Sequence, residues 1–264
     1  MPHKKIFYLS LNNLRLIKIF NLKIIIARLR LLQTLFLKKK NRDVVLHGVT
    51  LTVDFRDFPS QHIYAYRNLY EAESVDLCKK ILKKGMVCID IGSNVGLFSS
   101  IFAKAVGSSG KVYSFEVNPK IIHILKKNMD CYNNSIIYNE FVSNKIEIIK
   151  YISPFKGNKE TKNVKTVKVD ELITEKVDLI KVDIDGIDLL ALMSAEKLIK
   201  QFKPYILIEI SEDSKNNHDI HFLDIISYLQ NFGYSPYHAN SKFEPFIETK
   251  LPKNSVSNLF FKYN

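Results

Sequence analysis

Two observations predict an α/β fold with a mostly parallel central sheet and helices on both faces. Apolar strand-like runs alternate with helical segments from about residue 86 to 232, the pattern that crossover connections impose on parallel strands. One of those runs, "MVCID", is short and apolar enough for a strand buried on both faces. Composition agrees, with 46% hydrophobic and 25% charged residues, the balance of a globular chain. A length of 264 residues leaves room for one substantial domain with a buried core. The predicted organisation is a basic, apolar helical leader over residues 1–42 and one domain over residues 43–264.

The leader carries ten Lys or Arg and no Asp or Glu among residues 1–40. Taking those ten from the 39 basic residues leaves 29 against 27 acidic ones, so the net charge of +12 belongs almost wholly to the leader. A nearly neutral body argues against a nucleic-acid groove, and no nucleic-acid partner is expected. Asn12, Asn13, Arg15, Lys18, Lys23, Arg28 and Arg30 interrupt the apolar runs, none of which approaches the roughly 20 residues of a membrane span. No small-residue cleavage site follows the first run, so a secretory signal is not expected. The expected location is cytoplasmic or peripheral to a membrane. Two readings of the leader stay open: a basic helix touching an anionic membrane through residues 1–40, or a helix packed on the domain with solvated lysines. Across the whole leader the basic positions scatter around the helix, which favours the second. Cys78, Cys88 and Cys131 lack metal-ligand spacing and read as buried small hydrophobes.

After the leader, "VVLHGVTLTVDF" alternates around His47 and Gly48 like a hairpin. "YRNLYEAESVDLCKKILKKG" reads as one helix closed by Gly85, "LFSSIFAKAV" as a helix stopped at Gly107, and "KVYSFEVNP" as a second strand ending on Glu116. "KIIHILKKNMDCYN" continues as a helix and "SIIYNEFVS" as a strand. The polar stretch from Asn144 to Leu172 reads as a hairpin excursion. "VDLIKVDIDG" is a buried strand, "IDLLALMSAEKLIKQF" a helix and "PYILIEI" a further strand.

Ligands of such sheets sit beyond the C-terminal strand ends, where this sequence places Asp90, Glu116, Asp183, Asp185 and Glu209. The stretch "CIDIGSNVG" breaks from an apolar run into Gly92 and Gly96. A dinucleotide loop wants a second glycine close to the pyrophosphate, and Asn94 stands there instead. S-adenosylmethionine fits better, with Asp90 near its cationic end and Glu116 accepting hydrogen bonds from its ribose. An ordinary strand-to-helix turn and a solvated strand end are the bland alternatives.

Three stretches in order, "YEAESVDLCKKILKKGMVCIDIGSNVGLFSSIFAKAVGSSGKVYSFEVNPKIIHILKKN", "VKTVKVDEL" and "VDLIKVDIDGIDLLALMSAEKLIKQFKPYILIEI", resemble the FkbM-type methyltransferases. "SNLFFKY" resembles their closing strand. The resemblance implies a Rossmann-like methyltransferase fold and S-adenosylmethionine as cofactor, bound by Asp90, Gly92, Ser93, Asn94, Gly96 and Glu116. It also implies O-methylation of a hydroxyl on a carbohydrate or glycoconjugate precursor. Where the family reads K-x-D-x-E-G-x-E, this chain has "KVDIDGID", so Asp185 and Asp188 are each one methylene short.

A sugar hydroxyl must lose its proton at or near methyl transfer, to a base or beside a metal. Asp183 is the first candidate base. Asp185 either shares its proton or joins it in holding a divalent ion, or the pair only caps the following helix. Lys181 is either catalytic or the partner of a carboxylate. Tyr70 and Glu71 are placed at the mouth of the site, and His218 and His221 read as a capping-region and a helix-face histidine. A scaffold that has lost turnover and a nicotinamide-dependent oxidoreductase are the competing functional classes.

Overall fold

The computed structural model describes residues 22–34, 40–152, 161–184, 186–211, 220–247, 249, 251 and 256–264. Helix α1 covers residues 22–34. A hairpin follows, β1 (Asn41–Leu46) antiparallel to β2 (Val49–Asp54), turning at His47 and Gly48 as the alternation predicts. Helix α2 (Phe58–Tyr66) is capped by the Asp57 carboxylate, which accepts the Ser60 N–H.

Seven strands form the central sheet: β3 (Val87–Ile91), β4 (Lys111–Phe115), β5 (Ser135–Tyr138), β9 (Leu179–Val182), β10 (Tyr205–Ser211), β11 (Tyr234–His238) and β12 (Val256–Tyr263). Their spatial order is β11-β12-β10-β9-β3-β4-β5. The strands from β10 to β5 run parallel, and β12 is antiparallel to both β10 and β11. Strand order reverses between β3 and β9, so the crevice for a ligand opens beyond the C-terminal ends of those two strands.

Helices α3 (Ala72–Ile81), α4 (Leu97–Val106) and α5 (Ile122–Met129) cover one face; α7 (Asp188–Ser194), α8 (Glu196–Phe202) and α9 (Phe222–Gln230) cover the other. The short α6 is Val169–Leu172. Side-chain alternation along each strand deals residues to the two cores in turn. Cys88, Val112, Leu179, Leu207 and Phe260 join the α3–α5 side, while Ile89, Tyr113, Ile180, Ile206 and Phe261 join the other. Both faces being covered explains why the strands read as unbroken apolar runs. The polar excursion is a hairpin, β7 (Ile148–Ile152) with β8 (Thr161–Val167).

Four local expectations are corrected. Residues 66–85 are not one helix: Arg67–Leu69 forms a 3-10 turn, Glu71 takes a left-handed φ of 53°, and α3 ends at Ile81 with Leu82 as its extended C-cap, ahead of Gly85. The stretch "SIIYNEFVS" splits into β5 and β6 (Phe141–Val142), and β6 pairs with β8 in a separate three-stranded sheet. The long helix after β9 breaks at Ala195, where the Ser194 hydroxyl has turned back onto the Ala191 carbonyl at 2.7 Å, a bond that competes with regular helix continuation. Cys131 is exposed, unlike Cys78 and Cys88.

Candidate active site

Asp90 of β3, Ser114 of β4 and Lys181 of β9 are register neighbours, so their side chains emerge side by side under α4. All three are buried. Ser99 of α4 donates to Asp90 Oδ2 at 2.5 Å and receives the Ser114 hydroxyl at 2.9 Å. Lys181 Nζ lies 2.8 Å from Asp183 Oδ2, 3.9 Å from Asp90 Oδ1 and 4.8 Å from the centre of the Phe98 ring. Burial opposes the lysine's charge, but Asp183 and Asp90 outweigh it and hold the ammonium above its ordinary range. Burial raises the Asp90 carboxyl, with Lys181 pulling the other way. Asp90 Oδ1 is buried without a hydrogen-bond donor. The salt-bridge reading of Lys181 thus has its geometry, although the partner is shared.

The loop after β3 is folded against the ends of β4 and β9. The N–H groups of Gly92 and Ser93 both donate to the Phe115 carbonyl, at 3.0 and 2.9 Å. A Cβ on Gly92 would stand 1.9 Å from the Asp183 carbonyl oxygen, so what lies against that glycine is the backbone leaving β9. Gly96, at φ +89°, is the left-handed residue that opens α4. The Ser93 hydroxyl donates to the Asp90 carbonyl at 2.8 Å. Asn128 of α5 ties the hairpin to this loop: its amide donates to the carbonyls of Thr52 and Val95 at 2.9 and 2.7 Å and accepts the Thr52 N–H at 2.7 Å.

Glu116 follows β4 directly and is 8% exposed. Its Oε2 accepts the Asn94 N–H at 2.9 Å and its Oε1 the Asn118 N–H at 2.7 Å. Burial pushes its carboxyl up to about 7, against those two hydrogen bonds.

Asp183 is about one-third exposed at the mouth of the site. Asp185 and His218 lie outside the described residues. Asp188 spends its carboxylate on the N–H groups of Ile184 and Gly186, at 2.9 and 3.2 Å, and burial pushes it up to about 6. It closes the turn into α7, which its shorter side chain can reach. His221 is not on the helix face as expected but is the N-cap of α9, with Nδ1 accepting the Leu223 N–H. Glu71 reaches Asn258 of β12 at 2.5 Å, and burial raises its carboxyl. Burial also raises the Tyr70 phenol, reinforced by Glu71, Asp183, Glu209 and Asp57. Asn258 is the register partner of Glu209, so Glu71 reaches the C-terminal half of β10.

Sequence reasoning missed Asp57. It is buried, its carboxyl is raised by burial, and Asn94 and Asp54 are among its influences; it acts in turn on Glu116. The only local signal was "RDFP", the signature of a helix N-cap before proline.

Asp57, Glu71, Asp90, Glu116 and Asp183 outnumber the basic groups here: Lys181, beside Asp183 and Asp90, is the single buried basic side chain among the described residues. Such an excess of negative charge suits a cationic ligand, and S-adenosylmethionine carries a sulfonium and an ammonium. Glu116 keeps one lone pair on each oxygen for ribose hydroxyls. The residues present fit this cofactor: Glu116 and the loop would hold its ribose side and the acidic row its cationic side. Among the described residues no group of three or more His, Cys, Asp or Glu could hold a metal ion.

The class that this sheet order and site define is the S-adenosylmethionine-dependent methyltransferases. A methyltransferase FkbM domain model matches residues 90–236, more than half of the chain. The chain belongs to that family. A protein-L-isoaspartate(D-aspartate) O-methyltransferase model also matches residues 25–147. Two curated relatives are both ribosomal RNA large subunit methyltransferase E. The protein from Buchnera aphidicola subsp. Cinara cedri is 40% identical over 53 residues, 20% of this chain and 25% of its own. That from Blochmanniella floridana is 35% identical over 69 residues, 25% of this chain and 34% of its own. The chain thus spans about a quarter to a third of the length of these relatives. Among solved structures, methyltransferase FkbM from Methylobacillus flagellatus KT aligns over 78% of this chain and 55% of its own, at 15% identity and a TM-score of 0.48. An rRNA methylase from Streptococcus thermophilus aligns over 72% and 93%, at 13% identity and a TM-score of 0.47.

Proposed function

We propose that this chain is an O-methyltransferase that acts on a hydroxyl of a sugar or glycoconjugate precursor. The observation that carries the proposal is Asp183: a partly exposed carboxylate at the end of β9, touching the 92–96 loop through its own backbone and held at Oδ2 by Lys181. Among the described residues no hydrogen bond occupies its Oδ1, which can accept the proton of an incoming hydroxyl. Lys181 fixes the carboxylate's orientation. Glu116 grips the ribose side, and the buried acidic row favours the cationic side. S-adenosylmethionine, when bound, supplies a methyl group already activated on its sulfonium. The chain's task is then to place acceptor oxygen and methyl carbon in line and to exclude water. The carbohydrate class of the acceptor is drawn from membership of the FkbM family. The nearly neutral body weighs against an RNA acceptor.

Calorimetric titration tests this reading. Wild type is expected to bind S-adenosylmethionine and Glu116→Ala is not, with no heat from a nicotinamide dinucleotide in either case. Methyl transfer from labelled cofactor is then measured to sugar nucleotides, to glycolipid acceptors and to ribosomal RNA. Transfer to RNA alone overturns the acceptor class. Tight cofactor binding with no transfer to any acceptor favours a scaffold, and binding of the dinucleotide alone favours an oxidoreductase.

A further inference from the structure

We infer that helix α1 docks flat on the surface of an anionic lipid bilayer through a solvent-facing apolar stripe. The stripe is Leu22, Ile25, Ile26, Leu29 and Leu32, between 39% and 58% exposed. At 100° per residue these five fall within an arc of about 120°. Ala27 and Thr34, on the opposite side of the helix, are buried. Ile24 and Leu31 fall beside them and are half-buried, so α1 has an ordinary inward face and, in addition, leaves five large apolar side chains out in water, more than a helix that serves only to cover a core exposes.

The charges border the stripe. On the same projection Arg28 falls on one flank, and Lys23 and Arg30 on the other. The scatter seen across the whole leader thus resolves, within residues 22–34, into two basic margins along an apolar face. That is the arrangement of a helix lying in the headgroup region, aliphatic side chains below and cations at phosphate level. Among the described residues no helix is long and apolar enough to cross a membrane.

Charge complementarity selects the occupant. Residues 1–40 hold ten basic and no acidic side chains, so a second copy meeting this face across a two-fold axis would set like charges against each other. An anionic bilayer offers both the apolar layer and the counter-charge. The body beyond residue 40 carries a net charge near zero, so the pull comes from residues 1–40, to which α1 contributes Lys23, Arg28 and Arg30, and it orients the domain.

The chain contains no tryptophan, so Leu29→Trp places a single reporter in the exposed stripe, and the full chain is used. It is titrated with vesicles of phosphatidylcholine alone and with vesicles in which about a third of the lipid is phosphatidylserine. Emission is expected to shift to the blue, and protein to sediment, with the anionic vesicles only. Neutralising both arginines, Arg28→Gln with Arg30→Gln, is expected to weaken partition about 30-fold, since each basic residue near such a surface contributes about fivefold. Sedimentation of the tryptophan-free wild type repeats the measurement without the reporter. Equal binding to both vesicle types, no binding to either, or partition unchanged by the double substitution overturns the inference. So does a blue shift that grows with protein concentration in the absence of lipid, which would put a second copy on the stripe.

Discussion

Replacing Glu116 by Gln isolates the electrostatic cost of holding a carboxylate in this site. Its carboxyl rises from an ordinary 4.5 to about 7 because it is buried. Between those values the folded chain binds a proton that the unfolded chain has released, so stability is greatest at the acid end and is lost as pH rises through 7. From about pH 5 to about pH 8 the loss amounts to about 2.5 kcal/mol, at about 1.4 kcal/mol per pKa unit. The assay is urea denaturation of wild type and Glu116→Gln across that range, read as the difference between the two curves. Asp188, pushed up to about 6, is common to both chains and cancels. Wild type should lose about 2.5 kcal/mol more than the variant. Parallel curves would refute the reasoning, because they would mean that Glu116 does not titrate near neutrality in the fold.

Three other substitutions probe the same site. Gly92→Ala puts a methyl on the Asp183 carbonyl at a left-handed φ and should cost about 3 kcal/mol or more, seen as a large fall in Tm. Lys181→Met strands Asp90 in the core without a counter-ion; a loss of about 3–5 kcal/mol is expected, and a neutral outcome in chemical denaturation would show that Asp90 is protonated in the fold. Asn128→Ala removes three buried hydrogen bonds between hairpin and loop; stability should drop by about 2–4 kcal/mol, and hydrogen exchange should speed up at Thr52, whose N–H loses its acceptor.

Much of the fold was legible because its signals were local. Gly96 and Gly107 bracket α4 at the residues the sequence suggested, and each buried strand announced itself as an apolar run. The failures share one physical cause, contact with distant chain. Glu71 adopts its left-handed conformation with its carboxylate on Asn258, 187 residues further along, and no local pattern encodes that bond. Asp57 reads as a helix cap and is one; only the folded chain brings it near Glu116. In the candidate site, Asp90, Glu116, Lys181 and Asp183 were legible as polar residues in or after apolar strands. What each touches was not: that the Gly92 loop meets the backbone after β9 depends on the reversal of strand order.

Strand β12 lies between β10 and β11 although it follows both in the chain. It sends Phe260 into one core and Phe261 into the other. During synthesis, therefore, β11 has no strand to pair with, and β10 presents an open hydrogen-bonding edge, until residues 256–263 have left the ribosome. An apolar edge of the sequence "YILIEIS" is the kind that recruits other chains. Until β12 arrives, that edge stays open to pairing with other chains.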